Sequence, residues 1–390
     1  MLVGSFSRRK DSSWSKIFNS RKTMKKLFVL IGSILFLSIM LISYSKDSNP
    51  VEPQTKILTE EVKVQLESAA DKVFMEVSTP GMIALISVEG EGDYIIKRGV
   101  SNKETGEPMS ENHYFRIASN TKTFTGAAVL ILVDQGKINL DSTISYYLPE
   151  YNVPNGDKIT VRMLGNMTSG LYNYSDDEGF WSSFRESNFL MTFPPDSLLA
   201  IAFRHPSNFA PGTKYEYCNT NIVLLGLLME KVTGKPVKQV IDEKVIQPLN
   251  LKNTYWPDSN FLLSPYSHGY NSDFMGTLID VTNWNPSWGY TAGVLISTIP
   301  DMKIWAKAVA EGKLLSEQMK LERFNWVKDH YGFCVMKVND WVGHPGTIFG
   351  YNSHVFYNSV KKITLIIFAN TDTGFPVEYF SDAFRNILDN

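Results

Sequence analysis

Cysteine is almost absent. Cys218 and Cys334 are the only two in 390 residues, too few for a disulfide framework and too isolated for a zinc site. One bridge is open to an exported protein, but two buried thiols are the default expectation, and neither metal nor cofactor is expected. A surplus of charge is missing as well: the net charge of −2 leaves no footprint for nucleic acid. Basic residues gather only near the start, at Arg8, Arg9, Lys10, Lys16, Arg21, Lys22, Lys25 and Lys26. Long hydrophobic runs are scarce too, with one exception directly behind that basic flank. No charged residue lies between Leu27 and Ser45, which reads as a signal peptide or membrane anchor. The remainder is therefore expected outside the cytoplasm, secreted or held at the membrane by this segment. Ser43-Tyr44-Ser45 makes a tolerable small-residue cleavage site, yet the run is long enough to span a bilayer, so both fates stay open. Met24-Lys25-Lys26 would itself be an ordinary signal start.

What is present is enough for a large core. With 43% hydrophobic residues and 13% aromatics, the chain has room for two structural lobes and is neither disordered nor fibrous. The expected organisation is a basic N-terminus with an export segment over 1–45, a polar linker over 46–56 and one domain over 57–390. The domain opens with a helix near Thr59, with Glu60 and Glu61 in its first turn, followed by strands over Met82–Val88 and Tyr94–Gly99. Thr160 caps a short helix, Asp196 caps another over Ser197–Arg204, and an apolar helix over Thr220–Val232 ends at Gly234. Tyr172–Phe193 is rich in aromatics without clear period, a loop suited to a pocket wall or lid as much as to plain surface. Strands return at Tyr331–Val338, Tyr351–Tyr357 and Ile363–Ala369, and Pro376–Leu388 makes a final helix. Strands at both ends with helices between them predict an α+β fold: one antiparallel sheet built from both chain ends, flanked by terminal helices, with an inserted helical lobe.

Everything turns on Arg116-Ile117-Ala118-Ser119-Asn120-Thr121-Lys122. If a helix begins at or just before Ser119, the serine and Lys122 stand on one face ~5–6 Å apart at Cβ, close enough to share a proton. Ser-x-x-Lys occurs five times, starting at Ser7, Ser13, Ser43, Ser119 and Ser359. Only Ser119 opens a helix that is apolar nearly all round, the pattern of a helix buried inside a domain. By itself this is as compatible with a helix-capping serine as with a nucleophile. Two further pieces can join it. Tyr217-Cys218-Asn219 is the only Tyr-x-Asn in the chain and stands ahead of an apolar helix; Gly343-His344-Pro345-Gly346-Thr347 leads into strand-like sequence.

With these three pieces in this order, the sequence resembles the penicillin-recognising serine hydrolases, in the branch of serine D-alanyl-D-alanine carboxypeptidases, class C β-lactamases, D-aminopeptidases and related esterases. The resemblance runs from about Thr59 to the C-terminus. Framing phrases support it: Phe209-Ala210-Pro211-Gly212-Thr213, Thr168-Ser169-Gly170-Leu171 and Ser287-Trp288-Gly289-Tyr290-Thr291-Ala292-Gly293. It implies a β-lactamase/transpeptidase-like fold and Ser119 as the nucleophile of an acyl-enzyme. It also implies Lys122 with a lowered pKa and Tyr217 as proton partner, with the choice of general base between them open. Asn219 would orient substrate and lysine, the backbone N–H groups of Ser119 and Thr347 would form the oxyanion hole, and His344, Gly346 and Trp288 would line the substrate site. Two departures stand out. Class C β-lactamases usually carry Lys-Thr-Gly where this chain has His344-Pro345-Gly346, and carboxypeptidases usually have threonine where Pro345 offers neither hydroxyl nor N–H. The expectation is a carboxypeptidase-like hydrolase acting on D-amino-acid peptides of the cell wall. An esterase or amidase, a β-lactamase, and a non-catalytic penicillin-binding sensor are the rivals.

Overall fold

The computed structural model describes residues 56–272 and 276–390. The expected export segment and all but the last residue of the linker lie outside the described residues. The compact unit spans Ile57–Asn390.

Its centre is an antiparallel sheet of eight strands in the order β3-β2-β1-β12-β11-β10-β9-β8. The first chain end supplies β1 (Gly81–Val88), β2 (Gly92–Asn102) and β3 (Glu107–Pro108); the second supplies β8 (Tyr331–Gly332), β9 (Val335–Val338), β10 (Trp341–Ile348), β11 (Tyr351–Asn358) and β12 (Ile363–Ala369). The two ends meet where β1 pairs with β12 from Met82↔Ala369 to Val88↔Ile363. Two small ladders stand apart, β4 (Phe115–Arg116) with β7 (Ile296–Ser297), and β5 (Tyr270–Asn271) with β6 (Ile279–Asp280). Side chains alternate across a strand, so β1 and β12, largely apolar and buried at every position, must be covered on both sides. One set, Met82, Ala84, Ile86, Leu365 and Ile367, packs under the terminal helices α1 (Glu60–Glu76) and α6 (Pro376–Leu388). The other, Ile83, Leu85, Ile366 and Phe368, faces the inserted helices, among them α2 (Thr121–Asp134), α3 (Glu178–Glu186), α4 (Asn219–Thr233) and α5 (Ile299–Ala310).

Local chemistry sets most boundaries. Thr59 Oγ1 caps α1 by accepting from Val62 N at 3.2 Å, and α4 closes on Gly234 at φ 67°, a left-handed position where glycine carries no Cβ penalty. Thr160 caps its short helix, Val161–Gly165, as expected. Elsewhere the structure corrects the sequence. Asp196 is not a cap: Pro194 precedes a helix over Pro195–Ala202, and Asp196 lies in its first turn. Tyr331–Val338 is not one strand but two, folded back at Cys334, whose φ is 55°. The aromatic stretch is not all loop, because Asp177 Oδ1 accepts from Phe180 N at 2.6 Å and starts α3. The Gly343–Thr347 segment leads into a strand, β11, as expected, but it also lies within a strand itself, β10.

Candidate active site

The expected helix start at Ser119 is refined: a tight turn over Ala118–Asn120 carries the serine, and the α-helix proper begins at Thr121. Ala118 has φ 49°, a left-handed conformation costing an L-residue ~1–2 kcal/mol. The surroundings over-determine it. Ile117 N donates to Leu295 O at 3.0 Å, Ser353 Oγ donates to Ile117 O at 3.0 Å, Asn120 Nδ2 donates to Ser353 Oγ at 3.0 Å, and Leu295 N donates to Thr121 Oγ1 at 3.1 Å. β10 passes so near that a Cβ on Gly346 would stand 2.5 Å from Ile117 O and 3.0 Å from Ser119 N. Glycine at the third motif is therefore a packing requirement of the nucleophile turn itself.

Ser119 Oγ is bonded from two directions. Lys122 Nζ lies at 2.8 Å and the Tyr217 hydroxyl at 3.0 Å. Lys122 is completely buried, and its amine also donates to Ala292 O at 2.7 Å. No carboxylate pairs with it among the described residues, so burial brings its pKa down from 10.5 to about 7. Burial drives the Tyr217 phenol the other way, far above its ordinary value. The lysine is thus the group able to take a proton near neutrality, and the tyrosine is the group that keeps one. The Lys122 amine also lies 4.9 Å from the centre of the Tyr217 ring. The turn Tyr290–Gly293 that supplies Ala292 O is clamped between α2 and α4, with Thr125 Oγ1 donating to Thr291 O at 2.7 Å and Thr291 Oγ1 to Ile222 O at 2.6 Å.

A cleft of about 680 Å³ opens over the serine, and all the other residues singled out from the sequence except Lys122 line it: Tyr217, Asn219, Trp288, His344, Gly346 and Thr347. Lys122 sits beneath. Asn219 is turned away from the lysine: its Nδ2 donates to Ser175 Oγ at 3.0 Å, and Ala292 O takes the place expected for it. His344 is buried, and desolvation, with the Lys122 charge second, lowers its pKa to about 3, so the imidazole is neutral at physiological pH. Its Nδ1 faces Pro345 O at 2.5 Å, which makes Nδ1 the protonated nitrogen. Thr347 Oγ1 accepts from Asn352 Nδ2 at 2.9 Å, fixing the strand end beside the serine.

Sequence reasoning missed part of the lining. Trp181 of α3, Trp288 and Phe349 form an aromatic wall with ring centroids 5.4–5.6 Å apart. The aromatic density of 172–193 was the usable signal for Trp181, and Ala292 lies inside a quoted framing phrase. Nothing pointed to Asp372 or Glu378, which also line the cleft. Among the described residues no group of three or more His, Cys, Asp or Glu could hold a metal ion, and both cysteines are buried and free.

A serine bonded by a buried lysine and a tyrosine, beside a sheet closed from both chain ends, stands here in the β-lactamase and penicillin-binding fold. The chain belongs to the beta-lactamase family, whose family model, Beta-lactamase, matches residues 66–383. It is similar to the Protein flp of Staphylococcus aureus (strain MW2), 24% identical over 82% of this chain and 65% of that protein. It is also similar to the esterase EstB of Burkholderia gladioli, 32% identical over 48% of this chain and 50% of that protein. The chain thus spans less than two thirds of the length of these curated relatives. Among solved structures it resembles a D-stereospecific amidohydrolase from Streptomyces sp., with TM-score 0.74 and 30% identity over 83% of this chain and 97% of that one. The fold is also that of a penicillin binding protein from Bacillus halodurans, with TM-score 0.71 at 22% identity over 83% of this chain and 98% of that one.

Proposed function

We propose that this protein is an exported serine hydrolase that cleaves amide or ester bonds of D-amino-acid compounds through an acyl-enzyme on Ser119. The observation that carries this reading is the double hydrogen bond on Ser119 Oγ, from Lys122 Nζ at 2.8 Å and Tyr217 OH at 3.0 Å, at the floor of the cleft. Neutral Lys122 accepts the serine proton as Oγ attacks the carbonyl carbon. The oxyanion forms beside the backbone N–H groups of Ser119 and Thr347, donors of a kind commonly contributing ~3–4 kcal/mol each. Tyr217, which holds its proton, passes it to the leaving amine or alkoxide and is reprotonated from Lys122. Water then releases the acid by the reverse sequence. The D-amino-acid class is supported by the Streptomyces amidohydrolase, whose name carries that stereochemistry. Export and membrane attachment through the N-terminal segment are supported by the basic flank and the uncharged run from Leu27 to Ser45.

A second reading, a D-alanyl-D-alanine carboxypeptidase acting on cell-wall-type peptides, is favoured by His344 at the head of the third motif. Pro345 weighs against it, having no hydroxyl or N–H for a substrate carboxylate. The test is hydrolysis of p-nitrophenyl acetate together with intact-protein mass after mixing with benzylpenicillin, with Ser119→Ala as control. Ser119-dependent ester turnover without a lasting adduct supports the amidase or esterase reading. A lasting adduct supports the carboxypeptidase, and consumption of the antibiotic a β-lactamase. Inertness toward both reagents would leave a non-catalytic sensor and sink the proposal.

A further inference from the structure

The cleft is electrically one-sided. Among the described residues no arginine or lysine lines it, and its ionisable lining groups besides tyrosines are His344, Asp372 and Glu378. His344 is neutral, as described above. Asp372 is fastened to the rim, its Oδ1 accepting from Gly350 N at 3.0 Å and from Asn271 Nδ2 at 2.9 Å. These bonds hold its carboxyl group in a fixed place. Glu378 stands in the first turn of α6 with its side chain exposed at the rim, and it forms no ion pair among the described residues. Desolvation first, and the neighbouring acid Asp382 one turn further along second, push its carboxyl up to about 7, so it is ionised above neutrality, and a cation beside it would favour the charged form. Nor does the start of α6 offer a compensating row of free N–H groups: Val377 N donates to Asn352 Oδ1 at 2.9 Å and Glu378 N to Phe375 O at 3.3 Å. Asn352 is the same residue whose Nδ2 holds Thr347, so this acidic rim is tied directly to the strand end beside the nucleophile.

A substrate carboxylate placed at this end would meet two carboxylates and no cation. A protonated amine would meet a carboxylate that has no cationic partner among the described residues. We propose that Glu378 is the charge-selecting residue of the cleft, holding the ammonium group of amino-acid amides or esters and, with Asp372, turning away substrates that bear a carboxylate there. This rests on the hydrolase reading above and adds the substrate's charge to it.

The test compares D-phenylalanine p-nitroanilide with its N-acetyl and N-succinyl derivatives on the full-length protein, with p-nitrophenyl acetate as the reference for a working Ser119. A charge-assisted hydrogen bond to the ammonium should make kcat/KM for the free amine roughly tenfold higher than for the acetylated compound, and the carboxylate-bearing succinyl compound should be the poorest. The preference should shrink as salt is raised from low to high ionic strength. Glu378→Gln should erase it, Glu378→Asp should retain most of it, and Glu378→Lys should turn it toward the succinyl compound. Equal rates for the three wild-type substrates, a preference for the succinyl compound, or an undiminished ratio in Glu378→Gln would overturn the proposal. If p-nitrophenyl acetate is not hydrolysed in a Ser119-dependent way, the hydrolase reading itself falls; if it is, and the ratios do not move, only the role of Glu378 falls.

Discussion

On one face of the sheet, α1 and α6 are held by Leu66, Ala70, Val73, Phe380, Phe384 and Leu388 against Met82, Ala84, Ile86, Leu365 and Ile367, a layer dominated by apolar side chains. On the other face the layer is just as well buried, yet it contains Lys122, Asn120, Thr121, Thr123, Thr125, Thr291 and Arg323 at 0–1% exposure. That face also carries the left-handed residues Ala118 and Tyr290, at φ 49° and 36°. Both faces exclude water, but only one uses the exclusion to do chemistry. Apolar packing lowers the free energy of the fold, whereas a buried amine without a counter-ion raises it and survives because the surrounding bonds leave the chain no alternative.

The sharpest way to break this contrast is Lys122→Met, which removes the buried amine while keeping its volume. Hydrolysis of p-nitrophenyl acetate should fall by at least about a thousandfold, as for loss of one member of a catalytic unit. Stability should move the opposite way. Because folding lowers the lysine pKa from 10.5 to about 7, the unfolded chain binds more protons between those values, and wild-type stability must rise with pH across that window. Denaturant unfolding at pH 7 and pH 10 should show this rise in the wild type and its loss in Lys122→Met. The same titration predicts a wild-type kcat/KM that climbs with pH around a midpoint near 7.

Next in size is Phe384→Ala on the opposite face, where the side chain is fully buried against α1 and the sheet. It should cost about 3–5 kcal/mol of stability by the usual large-to-small penalty while leaving kcat/KM per folded molecule within about twofold. A large loss of turnover in the folded fraction would mean that the two faces are coupled. The smallest expected effect on stability, about 1–3 kcal/mol, is that of Gly346→Ala, whose methyl would press on Ile117 O and Ser119 N. Its loss of activity should exceed its loss of stability, since the atoms displaced are those that aim the nucleophile. Activity falling only in proportion to the folded fraction would remove Gly346 from the positioning role given to it.

The parts of the site that were legible in sequence are those set by local rules. Ser119 and Lys122 are three residues apart in one helical segment, Tyr217-x-Asn219 opens α4, and the burial of β1 and β12 on both sides follows from their largely apolar runs. The strand of His344-Pro345-Gly346 was less legible, because a segment with two glycines and a proline has little strand propensity; pairing with β11 from Trp341↔Asn358 to Ile348↔Tyr351 overrides it. Helix α3 was hidden for a related reason. It is only nine residues long and holds a glycine and two serines, so its one apolar stripe of Phe180, Trp181 and Phe184 is too short to establish a period.

By itself, then, the sequence determined an α+β domain with a Ser-Lys-Tyr set and a sheet drawn from both chain ends, since spacing, caps and apolar period are properties of neighbouring residues. The tertiary structure alone decided the depression of the Lys122 pKa, the choice of Ala292 O over Asn219 as its partner, and the meeting of Asp372 and Glu378 with Ser119 in one cleft. Desolvation and charge depend on what surrounds an atom in space, and residues more than 250 positions apart in the chain become surroundings only when the sheet closes.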